Sequence, residues 1–192
     1  MLKSFSDLGI NKQLEQDLAS LKISIPTDIQ EQTIPVLLNK KEDMVVLAKT
    51  GTGKTAAFGL PLLQLIDLEN INVQSLILAP TRELAQQIYT NLVSFAGSSS
   101  KIAITSLCGG IPIKPQIEQL KATTHIAVAT PGRLVDLIKR EAIALNKIKY
   151  VVLDEADEMV SSLKKDLDFI IEDLPKSRRT LLFTATMPGT IK

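Results

Sequence analysis

The segment Ala48-Lys49-Thr50-Gly51-Thr52-Gly53-Lys54-Thr55 sets two glycines, two lysines and three hydroxyls in a spacing suited to holding a polyphosphate. It follows the apolar run Met44 to Ala48 and leads into an apolar stretch with helical spacing. Glycines let the backbone curl until successive N–H groups point at phosphate oxygens, and the following helix adds the positive end of its dipole. Lys54 is expected to reach the β- and γ-phosphates, and Thr55 to offer its hydroxyl to Mg²⁺. Ala48 stands where the first glycine of such a loop often does. A second string, Asp154-Glu155-Ala156-Asp157, closes the apolar run Tyr150 to Asp154. Mg²⁺ on a nucleotide needs an oxygen ligand from the protein, and Asp154 fills that post. Glu155, one residue on, is placed to polarise an attacking water as a general base. Alone, the acidic string reads as a helix start favoured by the helix dipole. Beside a phosphate loop it reads as the acidic strand end that such a loop requires.

Residues that act together must be positioned by regular elements. Short apolar, β-branched runs recur at Met44 to Ala48, Leu76 to Ala79, Ile102 to Leu107, Ile126 to Thr130, Tyr150 to Asp154 and Thr180 to Thr186. They are nearly continuous in hydrophobicity, which predicts strands covered on both faces. Between them, Leu84, Ile88, Leu92 and Phe95 recur at helical spacing, as do Leu163, Leu167, Ile170 and Leu174. Two more such stretches, around Leu14, Leu18 and Leu21 and from Ile29 to Leu38, precede the first strand. Strand and helix in alternation predict an α/β fold, a parallel β-sheet flanked by helices on both faces. Ligands in that architecture collect beyond the carboxyl ends of the strands, where the suggestive residues lie.

Bulk properties narrow the class without naming a partner. The 192 residues suffice for one domain with a sizeable core, and 45% hydrophobic with 22% charged residues is ordinary for a globular protein. Lys plus Arg number 22 and Asp plus Glu 21, a net charge of +1, so a nucleic-acid partner has to be argued from a local surface. The single Cys108 excludes an internal disulfide and a multi-cysteine metal site, which fits a reduced, cytoplasmic setting. Without a neighbouring histidine to act as its base, it is not a candidate nucleophile. His125, the one histidine, is expected to pack rather than bind metal. No apolar run is long enough for a signal peptide or a membrane span, so no membrane partner is expected.

Further strings complete a pattern: Pro80-Thr81-Arg82-Glu83-Leu84-Ala85, Gly109-Gly110, Thr130-Pro131-Gly132-Arg133 and Thr184-Ala185-Thr186. In this order and spacing, with the phosphate loop and the Asp-Glu-Ala-Asp string, the chain resembles the DEAD-box RNA helicases from about Phe5 to Thr186. The resemblance implies the first RecA-like P-loop domain of such an enzyme, one unit over residues 1–192, with residues 1–40 as a helical extension carrying the Q motif. It implies ATP and Mg²⁺ as cofactors, with Lys54, Asp154 and Glu155 catalytic and Thr55 and Asp154 on the metal. Phe5, Ile23, Thr27 and Gln30 join Ala48, Lys49, Thr50, Gly51, Thr52, Gly53, Lys54 and Thr55 around the nucleotide. The Gln30 amide carries both a donor and an acceptor and so suits the adenine edge; without the family context it would pass for an exposed helix residue.

The same resemblance implies that single-stranded or duplex RNA is gripped through its sugar–phosphate backbone by Pro80, Thr81, Arg82, Gly109, Gly110, Thr130, Gly132 and Arg133. Charge, hydroxyls and close backbone approach suit that task, and none of them reads a base. Thr81 and Thr130 also suit a second role as helix caps. Asp157, Thr184 and Thr186 are implied to couple hydrolysis to the closing of two domains. The sequence departs from the family at Lys22-Ile23, where a glycine and an aromatic are usual, and at Thr184 in place of serine. Ile23 covers a base face without π-stacking, an expected loss of about 1 kcal/mol.

The sequence ends at Lys192 without the second RecA-like domain, whose arginines the resemblance implies at the γ-phosphate. An arginine finger is worth about 10³ to 10⁵ in rate, so the isolated chain, expected to be monomeric, should bind nucleotide weakly and not unwind. Two rival readings are a DNA- or protein-remodelling motor and a nucleotide-gated RNA clamp.

Overall fold

The computed structural model describes residues 3–98 and 100–186. The ends of the expected 1–192 unit, residues 1–2 and 187–192, lie outside them. A 3₁₀ turn over Ser6–Leu8 leads into α1 (Lys12–Ser20) and α2 (Asp28–Asn39). Alternation then begins: β1 (Met44–Leu47), α3 (Lys54–Leu65), β2 (Ser75–Leu78), α4 (Arg82–Ala96), β3 (Ile104–Leu107), α5 (Ile113–Leu120), β4 (Ile126–Ala129) and α6 (Pro131–Lys139). The last elements are β5 (Tyr150–Asp154), α7 (Ala156–Ser162), α8 (Lys164–Asp173) and β6 (Arg179–Thr184). All six strands pair in parallel, in the order β1-β6-β5-β2-β4-β3.

Because side chains alternate along a strand, each strand feeds two cores. From β2, Ile77 points into a layer built with α1 to α4, alongside Phe58, Leu62, Ile88 and Leu92. Its neighbours Leu76 and Leu78 point into the opposite layer with Leu134, Leu137, Met159, Leu167 and Ile170 of α6, α7 and α8. Strands β2 and β4 are buried throughout, as continuous hydrophobicity predicts. Strand β1 departs from that expectation: it lies at the sheet edge, with Val45 43% and Leu47 59% exposed. The pattern Leu163 to Leu174 forms α8, with Leu163 (φ −126°) and Leu174 as its caps, and the same Leu163 separates it from α7.

The first forty residues share the α3–α4 core: Phe5, Leu8, Leu14, Leu18, Ile34 and Leu37 belong to it. Helix α1 ends in a Schellman motif, with Ile23 N–H donating to Leu18 O at 2.9 Å and Lys22 N–H to Ala19 O at 2.9 Å. That motif puts its C′ residue in left-handed backbone, and the occupant is Lys22 at φ 61°. Glycine, the family's usual residue here, takes this conformation without strain. Among the described residues no helix is long and apolar enough to cross a membrane.

These local arrangements make two predictions. Lys22→Gly removes a side chain that is exposed and relieves the left-handed backbone, so thermal unfolding should shift upward by about 1 kcal/mol of stability. His125 is 3% exposed; its Nδ1 accepts from Ala103 N–H at 2.9 Å, while its Nε2 is buried without a partner. Burial holds the imidazole below its ordinary 6.5, with only Asp67 pulling the other way. The unfolded chain therefore binds the proton first, and stability is lost as pH falls below about 6.5. Unfolding followed from pH 7.5 to 5.5 should show a steeper decline for the native chain than for His125→Asn, which retains an acceptor.

Candidate functional site

Every strand ends on the same edge of the sheet, and the strand order sorts the loops beyond that edge into two halves. Adjacent β1, β6 and β5 present the phosphate loop, the Thr184-Ala185-Thr186 string and the acidic string. Adjacent β2, β4 and β3 present the loops at Pro80, Thr130 and Gly109.

On the first half, Gly51 and Gly53 take φ 82° and 90°, and Gly53 is the N-cap of α3. It supplies no side-chain cap, so the first N–H groups of α3 stay available to an anion. A Cβ on Gly53 would run into Gln30 Nε2 and come within 3.1 Å of Thr27 Oγ1. Lys54, the first residue of α3, is buried, and its Nζ lies 3.1 Å from Asp154 Oδ1. Burial pushes the Asp154 carboxyl above its ordinary range while the Lys54 ammonium pulls it back. Burial likewise raises Glu155, again against Lys54. Glu155 stands in left-handed backbone, φ 55° and ψ 51°, as the turn from β5 into α7. Such a conformation costs about 1 kcal/mol and persists where its surroundings impose it. The turn leaves Glu155 half-buried, lining a cavity of about 530 Å³ with Thr50, Lys54, Asp157, Glu158 and Thr186.

The Thr55 hydroxyl makes no hydrogen bond among the described residues, and the Asp154 carboxylate is the buried acid of this edge. A hydroxyl and a carboxylate are hard oxygens, the donor set by which Mg²⁺ is held on a nucleotide together with its phosphates and water. The residues therefore fit that ion. No cluster of three or more His, Cys, Asp or Glu suited to a metal occurs among the described residues.

The amino-terminal extension reaches this site through hydrogen bonds to the loop itself. Thr27 Oγ1 donates to Thr52 O at 2.9 Å and Gln30 Nε2 to Gly53 O at 3.1 Å, while Gln30 Oε1 accepts from Thr27 N–H at 3.0 Å. Gln30 is 4% exposed, not the exposed helix residue its position alone suggests. A cavity of about 470 Å³ opens beside it, lined by Thr27, Ile29, Gln32, Leu47, Ala48 and Gly51. Phe5 corrects the expectation of a nucleotide contact: its ring is 1% exposed in the core, so it acts through what packs on it. Ile23 is half-buried against the same core.

The last string meets the acidic string at Thr186. Its N–H and Oγ1 donate to Asp157 Oδ2 at 3.1 and 2.6 Å, holding that carboxyl below its usual range. Thr184, fully buried, donates to Thr186 O at 2.6 Å and adds to the hold on the Asp157 carboxyl.

On the second half, Thr81 caps α4 by accepting from Leu84 N–H at 3.3 Å, and Thr130 Oγ1 accepts from Gly109 N–H at 3.3 Å. Arg82 reaches Gly110 O at 3.4 Å, and a Cβ on Gly110 (φ 77°) would lie 2.9 Å from Arg82 Nη1, displacing the guanidinium. Arg133 is held by Gln116 Oε1 and Ile111 O, each at 2.7 Å, and Gln116, 2% exposed, also donates to Cys108 O at 3.0 Å. The three loops are thereby stitched together, with Thr81, Arg82, Gly110 and Gly132 exposed and Pro80 half-buried. Gln116 was not legible as a site residue, since it belongs to no motif and only the folded chain brings it to the edge, whereas Glu158 directly follows the acidic string, a signal that sequence reading missed.

Comparison with known proteins agrees with this arrangement. The family model described as DEAD/DEAH box helicase matches residues 27–192. The chain is 47% identical over 189 residues to the DEAD-box ATP-dependent RNA helicase CshA of Streptococcus pneumoniae, and 44% identical over 192 residues to that of Bacillus cereus. These alignments take in 98% and 100% of the chain but 36% of each relative, so the chain spans about a third of their length. A DEAD box protein from Methanococcus jannaschii superposes with a TM-score of 0.92 at 40% identity, over 98% of this chain and 51% of that one. Dbp5 of S. cerevisiae, bound to RNA and ADP BeF3, superposes with a TM-score of 0.88 at 34% identity, over 98% and 48%. With a matching fold, a family model over most of its length and relatives this similar, the chain belongs to the DEAD/DEAH box helicase family.

Proposed function

We propose that this chain is the ATP-binding portion of an ATP-dependent RNA helicase, working with Mg²⁺ and with a second RecA-like domain in cis. The observation that carries this reading is the sheet order. It sets a phosphate-binding half, β1-β6-β5, directly beside a half whose loops expose Thr81, Arg82, Gly110 and Gly132. Coverage of only 36% of the relatives leaves length for the second domain. The protein is read as a cytoplasmic monomer.

In this mechanism the N–H groups at the start of α3 hold the phosphate oxygens, and Lys54 turns from Asp154 toward them. Asp154 is thereby freed to hold the cation with Thr55. Bound Mg²⁺ supplies neutralisation of the charge that develops on the phosphate oxygens. Glu155, raised by burial, takes the proton of the attacking water. Gln30 and Thr27 hold the loop and present the base-side cavity to adenine. The Asp157–Thr186 link carries the state of the phosphate site to the neighbouring domain, while the second half of the edge grips the RNA backbone without reading bases.

Steady-state ATP hydrolysis by the full-length protein, alone and with single-stranded RNA or DNA, tests the reading; stimulation by RNA alone is expected, and equal stimulation by DNA would replace it with a general translocase. Glu155→Gln should lower RNA-stimulated turnover by about 10² to 10⁴ while ATP-dependent RNA binding survives. Undiminished turnover would remove Glu155 from the chemistry. Lys54→Ala leaves the Asp154 carboxylate buried and unpaired, an expected cost of about 3 kcal/mol in unfolding free energy, of which adding Asp154→Asn should recover part.

A further inference from the structure

Strand β3 is the far edge of the sheet, and a cavity of about 490 Å³ lies over it between α4 and α5. From α4 it is lined by Arg82, Gln86 and Tyr89, four and three residues apart and so on one helix face. From α5 it is lined by Gln119, and Ile104 and Cys108 contribute from β3 and its end. Tyr89 is half-buried, and its hydroxyl has no hydrogen-bond partner among the described residues; the same holds for the Gln119 amide. Gln86 has only a 3.4 Å contact from Ser106 Oγ. No carboxylate lines the cavity, in a chain with 21 Asp and Glu. One end is Arg82, whose guanidinium meets Gly110 O, so the groove is continuous with the loops assigned to the RNA backbone.

We propose that this groove receives one unpaired base of the RNA strand whose backbone those loops hold, an inference that rests on the RNA reading above. The Tyr89 ring offers a stacking face, the Gln86 and Gln119 amides and the Tyr89 phenol offer donors and acceptors to a base edge, and Arg82 meets the adjoining phosphate. An extended peptide added to the β3 edge is the rival occupant. The groove favours the base, because its solvent-facing amides and phenol suit a flat heterocycle and Arg82 is the one charged residue in its lining. A base held here adds to a motor that otherwise grips only backbone a preference for a nucleotide free of its pairing partner, since a paired base must first leave its stack.

The test uses the full-length protein, a non-hydrolysable ATP analogue and a set of single-stranded RNAs, identical except for one abasic residue stepped along the strand. Binding should fall about tenfold at one position of the set, the size of a single base–aromatic contact, and elsewhere stay level. Tyr89→Leu, which keeps an apolar side chain against the core, and the exposed Gln119→Ala should each flatten that dip while leaving ATP affinity in the absence of RNA unchanged. A level profile in the native protein, or a dip that persists in both variants, overturns the inference and leaves the RNA reading standing, with the peptide as the groove's better occupant. Failure to bind any RNA of the set overturns both.

Discussion

Six strands that pair in parallel must all end on one edge, and every functional loop of this chain inherits its place from that constraint. The crossover helices cannot change it; they can only decide which strands become neighbours. The order β1-β6-β5-β2-β4-β3 brings together segments far apart in sequence, so that Lys54 and Asp154 meet although a hundred residues separate them. Those crossovers also close the two faces. Where the helices give out, at β1, the apolar residues of the strand come to the surface.

The chemistry of the phosphate-binding half turns on the cost of burying charge. Lys54 and Asp154 are 7% and 2% exposed, and a charge carried to such depth is costly unless an opposite charge meets it. Their pairing gives the resting site a neutral interior while keeping both groups within reach of a ligand that could separate them. The neighbouring Glu155 is set apart by backbone strain rather than by a partner: left-handed φ turns it out of the β5 line and toward the open cavity. Two adjacent carboxylates thus receive different environments, one sealed by a cation and one facing space.

The sequence made the strands and the motif residues legible for a simple reason. Runs such as Leu76 to Ala79 are apolar because both faces are covered, and the phosphate loop needs glycine at positions with positive φ, so backbone demands show directly in residue type. Contacts made by long-range side chains leave no such trace. Gln30 is written as one more helix residue, yet its amide closes on Gly53 O, and Gln116 is an ordinary glutamine until Arg133 and Cys108 arrive on either side. Phe5 had the right composition for a base contact, but the extension packs inward and takes the ring into the core. The different settings of two threonines were equally hidden: two residues apart they look equivalent, and only strand geometry buries Thr184 while leaving Thr186 exposed beside Asp157.

The exposed edge of β1 bears on how copies of this molecule behave toward one another. Among the described residues β1 pairs on one side only, and Leu47 is 59% exposed beside it. An open backbone ladder with apolar side chains is a template for a second strand, and a net charge of +1 supplies little long-range repulsion to keep one away. The defence is local. Lys40 and Lys41 before the strand and Lys49 after it are all exposed, so the edge is bracketed by charge that an approaching copy would have to desolvate. Protection of this edge therefore falls to the exposed charges that flank β1, Lys40, Lys41, Glu42 and Asp43 before it and Lys49 of the phosphate loop after it.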